Sequence, residues 1–241
     1  MKPLRIAIIG DFTANKHTHI ALNEAVTHCR QHLDFPIETT WAATDNIPVS
    51  ASIPGYIDAL WIAPGSPYKN DDAVYKLIRW ARENNFPLLG TCGGFQYMVV
   101  EYAKNVLGIV DAGHEESEPD ASQLVIAKLS CSLKGQQEEV VITDKDSWLY
   151  TVLKKDVITG FFNCNYGINP VYTRKLQQGP FVFTAFSRSG EVRGLELKGH
   201  RFYKGTLFQP PLDSTPEKPN ALIMDFFRRI NVNRESLSIN G

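Results

Sequence analysis

No two of the four cysteines lie close together: Cys29, Cys92, Cys131 and Cys164 are scattered, with no CxxC pair. That spacing argues against a disulfide framework and against a zinc site, and it suits a reducing, cytosolic setting. The chain also lacks a charge excess, with 25 Lys+Arg against 26 Asp+Glu and a net charge of -1. Nothing in that balance invites nucleic acid or an anionic membrane as partner. No apolar run approaches the ~18–20 residues a membrane span needs. The first strand-like run, Ile6 to Ile9, is too short for a signal peptide. There is no glycine-rich phosphate loop of the P-loop or dinucleotide type and no ligand cluster with metal spacing, so neither a metal nor an organic cofactor is implied.

What is present is an ordinary globular composition, 43% hydrophobic and 21% charged over 241 residues, long enough for one large α/β domain or two small ones. Arg5 to Ile9 is a continuous β-branched run ending at Gly10-Asp11, the pattern of a strand buried on both faces. Helical spacing follows from His19 to His32, with Ile20, Ala21, Ala25 and Val26 on its apolar side, and then a β-like segment at Ile37–Ala42. Ile57–Ala63 reads as a strand stopped by Pro64-Gly65-Ser66-Pro67. Asp71–Asn85 is an amphipathic helix with Val74, Leu77, Ile78 and Ala81 on one face. Phe86–Gly90 is a short buried strand, and Gly94–Leu107 a further helix. Strand and helix alternating at this rhythm predict right-handed crossovers and an open, mostly parallel sheet with helices on both faces. The second half is richer in strands, at Leu124–Leu129, Glu139–Ile142, Val157–Phe162, Phe181–Ser187 and Val192–Leu197. A helix over Pro219–Ile230 closes a single domain of residues 1–230, leaving 231–241 as a loose polar tail.

Chemistry concentrates in Phe86-Pro-Leu-Leu-Gly-Thr-Cys-Gly-Gly-Phe-Gln96. A strand ends at Gly90, a helix begins near Gly94, and Cys92 stands at the turn between them. The glycines relieve crowding at a sharp strand-to-helix turn, the thiol counterpart of the G-x-S-x-G nucleophile elbow. The helix N-terminus there favours the thiolate, and the Gly93 N–H could stabilise an oxyanion. The alternative is a glycine-rich turn around an inert buried cysteine.

These residues resemble the class I glutamine amidotransferases, and among them the glutaminase domain of CTP synthase. Ala81–Gln96 is similar to that family's elbow segment, Glu101–Gly108 to the helix after it, Ile57–Gly65 to its oxyanion strand and loop, and Asn23–Ala25 to its first helix. The resemblance implies a flavodoxin-like, doubly wound α/β fold, a cytoplasmic protein and a place in pyrimidine nucleotide metabolism. It makes Cys92 the nucleophile, puts Gly65, Ser66 and Gly93 at the oxyanion and substrate cradle, and makes Gln96 the polar residue early in the helix. Glu116 falls where the family holds a substrate amino group, although Glu115, Glu118 and Asp120 around it also suit a solvated acidic loop. The implied substrate is a small amino-acid-like amide, and the implied partner a separate synthetase or a second copy of the chain, since no synthetase half is expected here.

The pattern then breaks. Where the family closes its triad with a histidine and, two residues on, a glutamate, this chain has Gln209 and Pro211; Asn165 replaces a substrate-contacting arginine. Gln209 can donate or accept a hydrogen bond but cannot exchange a proton near neutral pH. Another proton carrier is then needed for amide chemistry. His19, in the loop after the first strand beside His17, is the first candidate, because such loops gather at the carboxyl edge of the sheet. His114, next to Glu116, is a weaker one. Cys164 is near the pocket by family analogy but reads from composition as a buried structural thiol. His28, His32 and His200 read as surface or framework residues. Three functions stay open: cysteine chemistry by a non-standard route, a non-catalytic ligand-binding or partner-regulating role, and ammonia supply in trans.

Overall fold

A computed structural model describes residues 2–48 and 53–239. Its centre is a nine-stranded sheet in the order β2-β1-β3-β4-β12-β11-β10-β7-β8. Five strands form the parallel part: β1 (Leu4–Ile9), β2 (Ile37–Ala42), β3 (Ala59–Ile62), β4 (Leu88–Thr91) and β12 (Tyr203–Thr206). Four continue it antiparallel: β11 (Val192–Leu197), β10 (Phe181–Ser187), β7 (Gln136–Ile142) and β8 (Val157–Phe162). A small second sheet joins β5 (Ala112–His114), β6 (Gln123–Lys128) and β9 (Tyr166–Ile168). The helices are α1 (His17–Arg30), α2 (Asp71–Glu83), α3 (Gly93–Asn105), α4 (Trp148–Leu153), α5 (Pro170–Leu176) and α6 (Ala221–Ile239). Helix α2 packs on α3, while α6 packs on α1 and α4. This is the flavodoxin-like α/β architecture, with every residue of β3, β4 and β11 buried.

Three expectations need correction. His17 and His19, expected in the loop after the first strand, form the first turn of α1, which Lys16 caps. Ile20 is 38% exposed rather than part of the inner face of α1. The helix begins at His17, and the buried stripe is Thr18, Leu22, Ala25 and Cys29, a 4-3-4 spacing that leaves Ile20 on the outer side. The closing helix does not end at Ile230 but runs to Ile239, so the polar stretch expected to be loose is helical up to that residue. Arg234 supplies a reason, since its guanidinium donates to the carbonyls of Pro3 (2.6 Å) and Lys2 (3.0 Å) and lies 3.5 Å from Asp58 Oδ2. Residues 240 and 241 lie outside the described residues.

The carboxyl ends of β1, β3, β4, β8 and β12 bring five connecting segments together. Asp11, just past β1, ties its own loop to two others: its carboxylate accepts from Thr44 N–H (3.0 Å) and Lys69 N–H (2.9 Å) as well as from the Thr44 hydroxyl. Those are the loops after β1, β2 and β3. The pocket lies on this edge, as the switch-point rule for open α/β sheets requires.

Candidate active site

The elbow is built by close approach. A Cβ on Gly94 would stand 2.3 Å from the carbonyl oxygen of Ile62, and one on Gly90 would stand 2.4 Å from Met98 Sδ. Only glycine lets α3 cross this tightly over β3 and β4. Between them Cys92 adopts φ 53° and ψ -107°, a left-handed conformation that costs a non-glycine residue on the order of 1–3 kcal/mol. It is held there from both sides. The Cys92 N–H donates to Thr206 O (2.9 Å), extending the β4–β12 ladder by one residue, and the Cys92 carbonyl accepts from Gln96 N–H (3.1 Å) in the first turn of α3. Strain over-determined in this way is the mark of a site rather than of a passive turn.

Cys92 is 5% exposed, and its thiol pKa is lowered below the ordinary range. A hydrogen bond with the Cys164 thiol does most of this; burial opposes it, and the Gly93 N–H and the charge of Lys16 add to it. Cys164 is held protonated by the same contact and by burial. Cys164 is buried, as expected, and shares the cavity wall with Cys92.

The loop after β3 forms the opposite wall. Gly65 has φ +120°, and a Cβ there would come within 2.5 Å of Lys16 Nζ and 3.0 Å of His19 Nε2. Gly93 is buried against Ser66, where a Cβ would meet Ser66 N at 2.9 Å. His19 does not line the pocket. Its Nδ1 accepts from Thr13 N–H (3.1 Å), so the proton sits on Nε2, which donates to Pro64 O (2.9 Å). Burial lowers its pKa and favours this neutral form. Both ring nitrogens are thus engaged, which is a poor arrangement for a proton carrier but a good one for a positioning residue. Across a planar trans peptide, fixing the Pro64 carbonyl on His19 turns the Gly65 N–H the other way.

Gln96, Ser66, His114 and Glu116 form one network. Gln96 Oε1 accepts from His114 Nε2 (3.1 Å) and Ser66 Oγ (3.2 Å), while Gln96 Nε2 donates to Tyr166 O (2.8 Å). His114 Nδ1 accepts from the Glu116 N–H (3.1 Å), and Ser66 Oγ also lies 3.3 Å from Glu116 Oε2. Burial pushes His114 down to about 4, so the ring is a neutral, fixed tautomer. Partial burial raises the Glu116 pKa, opposed by Ser66, Lys134 and Lys16. Of the remaining histidines, His17 is exposed, His28 bonds the Ser214 hydroxyl, His32 the Pro216 carbonyl and His200 the Ala81 carbonyl.

Cys92, Cys164, Gly65, Ser66, Gln96, Glu116, Asn165 and Gln209 line one cavity of about 180 Å³, smaller than the ~300–1,000 Å³ of clefts for drug-sized ligands. Lys16 and Lys134 also reach it, and sequence reasoning missed both. A lysine at a loop end carries no periodicity or motif, and only its placement gives it meaning. Gln209 is 1% exposed, and neither its Oε1 nor its Nε2 has a hydrogen-bond partner. A buried primary amide left unpaired costs on the order of 1–3 kcal/mol, and here it borders the cavity. Pro211 lies just beyond, buried in a 3-10 turn (Pro210–Asp213). Among the described residues no histidine lines this cavity.

A strained cysteine elbow over a parallel sheet, facing a glycine loop from the neighbouring strand, defines an amide-directed α/β fold. The comparisons place it more closely. The profile of the family described as "Glutamine amidotransferase class-I" matches residues 18–229, and the chain belongs to that family. The CTP synthase of Sulfurisphaera tokodaii is 30% identical over 238 residues, covering 94% of this chain and 45% of that protein. The CTP synthase of Bacillus cereus is 26% identical, covering 98% of this chain and 46% of its own length. The chain thus spans about half the length of these curated relatives. Among solved structures, the glutaminase domain of Trypanosoma brucei CTP synthase with bound acivicin superposes with a TM-score of 0.83 at 22% identity, over 95% of this chain and 94% of that one. A glutamine amidotransferase from Thermotoga maritima gives 0.59 at 11% identity, over 96% and 97%. These two likenesses speak to the fold.

Proposed function

We propose that this domain performs cysteine chemistry on a small amino-acid-like amide, glutamine or a near relative, through a covalent thioester on Cys92, and that it does so slowly. The observation that carries this reading is the elbow itself: a strained backbone and a lowered thiol pKa at the wall of a cavity large enough for one amino acid. Cys92 would attack the side-chain carbonyl, and the N–H groups of Gly65 and Gly93 would face the developing oxyanion. Glu116 would hold the substrate ammonium. Lys16 and Lys134 would take the carboxylate in place of the arginine that Asn165 replaces.

The slow step follows from Gln209. The departing amine needs a proton and the hydrolytic water must lose one, and an amide does neither. Loss of a triad member in hydrolases costs on the order of 10⁴-fold in turnover; with water left to protonate the departing ammonia and to take the proton of the attacking water, the thioester would both form and hydrolyse slowly. A second reading rests on the same substitution, because a domain without its acid–base pair also suits a ligand-binding or partner-regulating role. Ammonia supply to a separate synthetase is a further form of the first reading, consistent with relatives whose matching half is one part of a longer enzyme.

Intact-mass measurement after incubation with glutamine, together with ammonia release by wild type and Gln209→His, tests the proposal. A γ-glutamyl adduct confined to Cys92, with ammonia release raised by Gln209→His, is the expected result. No adduct, no ammonia from either protein and no labelling by a glutamine-mimicking electrophile would leave only the binding role.

A further inference from the structure

The mechanism above uses Cys92 and leaves its neighbour idle. Cys164 is 6% exposed and lies in the segment between β8 and β9, between Asn163 and Asn165, both of which line the cavity. It lines the same small cavity as Cys92, and each thiol shifts the ionisation of the other. The other two cysteines are placed differently: Cys29 is buried in α1 with its pKa pushed up to about 12 by burial, and Cys131 is exposed outside the cavity. Two thiols lining one polar cavity of about 180 Å³ are a redox arrangement as much as a hydrolytic one.

We propose that Cys92 and Cys164 form a redox-active dithiol, in which a small hydroperoxide entering the cavity oxidises Cys92 and Cys164 resolves it as a Cys92–Cys164 disulfide. The Cys92 thiolate attacks one peroxide oxygen; the O–O bond breaks, Cys92 becomes a sulfenic acid, and the other oxygen leaves as an alcohol or water after taking up a proton. The Cys164 thiol loses its proton and its sulfur attacks Cys92; the S–O bond breaks and the hydroxyl leaves as water. Two thiols and one hydroperoxide give one disulfide, one alcohol and one water, and a dithiol reductant reverses the change. The ingredients are those that make a cysteine peroxide-sensitive: thiolate character, a nearby cation in Lys16, a place on the cavity wall and a second thiol lining the same cavity. Disulfides of this kind in reducing compartments are transient and catalytic or sensory. Closing the bridge would remove the nucleophile, so the amide chemistry proposed above would stop reversibly, yet the redox step itself does not require that chemistry.

Reduced wild-type protein titrated with hydrogen peroxide, alkylated and mapped by peptide mass spectrometry without reductant tests this. The expected product is a Cys92–Cys164 cross-linked peptide pair, formed at least ~10-fold faster than oxidation of Cys131 and reopened by dithiothreitol. In Cys164→Ser, Cys92 should proceed to sulfinic acid instead. Sulfinic acid on Cys92 of the wild type with Cys164 still free to alkylate would overturn the proposal, as would a bridge to Cys29 or Cys131. The wild-type map decides the matter even if the variant does not fold. Labelling of the reduced protein by a glutamine mimic reports separately on the amide reading.

Discussion

Lowering the pH from 7 to 5 should cost the fold about 2 kcal/mol through one side chain, His114. The ring is buried, its Nδ1 accepts from the Glu116 N–H, and its Nε2 donates to Gln96 Oε1. A second proton would have to go on Nδ1, where it would oppose an N–H already pointing there, and the charge would be buried. The folded pKa is therefore about 4 against 6.5 in a free chain. Because it is depressed, the unfolded state binds more protons between these values. The stabilisation is present in full above pH 6.5 and is lost as pH falls toward 4. A shift of this size corresponds to about 3 kcal/mol in total, with about 2 kcal/mol of it lost by pH 5. The assay is urea unfolding followed by tryptophan fluorescence at half-unit steps, comparing wild type with His114→Gln. The variant carries an offset at every pH, but the pH-dependent part of the difference belongs to the histidine. If the two proteins lose equal stability between pH 7 and 5, or if the His114 ring resonance titrates near 6.5 in the native protein, this account of the network is wrong.

Two further outcomes separate roles within the site. Iodoacetamide labelling of Cys92 should be about ten-fold slower at neutral pH in Cys164→Ala than in wild type, the size of one lost hydrogen bond to a charged group, ~1.5–3 kcal/mol. The two rates should converge at alkaline pH, and Cys164→Ser, which keeps a donor, should stay near wild type; equal profiles for Ala and Ser would remove the donor role. In His19→Ala, labelling by a glutamine-mimicking electrophile should fall by roughly 10²-fold, the order seen when an oxyanion donor is lost, while the pH midpoint of iodoacetamide labelling stays in place. A midpoint that moves with His19 would make it a titrating partner of the thiol after all.

The fold was legible where burial leaves a periodic trace. β1, α2, β4 and α3 announce themselves by apolar runs and helical stripes, and β8, β10 and β11 fall at Val157–Phe162, Phe181–Ser187 and Val192–Leu197 as read. The three-residue strands β5 and β9 do not, because three residues carry no period to detect. The parallel strand β12 is also short, and it stands next to β4 only because the chain returns from a long antiparallel excursion. That return decides the site: it puts Thr206 under Cys92 and Gln209 at the cavity.

Within the site, what could be read from sequence was whatever a local rule dictates. Glycines on both sides of a cysteine at a strand-to-helix junction have a steric reason, and that reason holds at Gly90 and Gly94. Side chains that meet from distant segments have no such rule. His19 stands in the first turn of α1 rather than on the loop before it, and the Thr13 N–H and the Pro64 carbonyl claim both of its nitrogens. Lys16, three residues earlier, reaches the pocket instead. Nearness to the carboxyl end of β1 therefore chose the right wall of the cavity, but Lys16 and not His19 reaches the cavity from there. Cys164 shows the same limit from the other direction: a scattered cysteine looks structural until its partner is known, and 72 positions of sequence separate it from Cys92. Gln209 and Cys164 border the same cavity, so both bear on what Cys92 can do there. If both proposals hold, a cavity with two thiols on its wall and an unpaired buried amide at Gln209 favours sulfur chemistry over acid–base turnover, and the peroxide titration measures that directly.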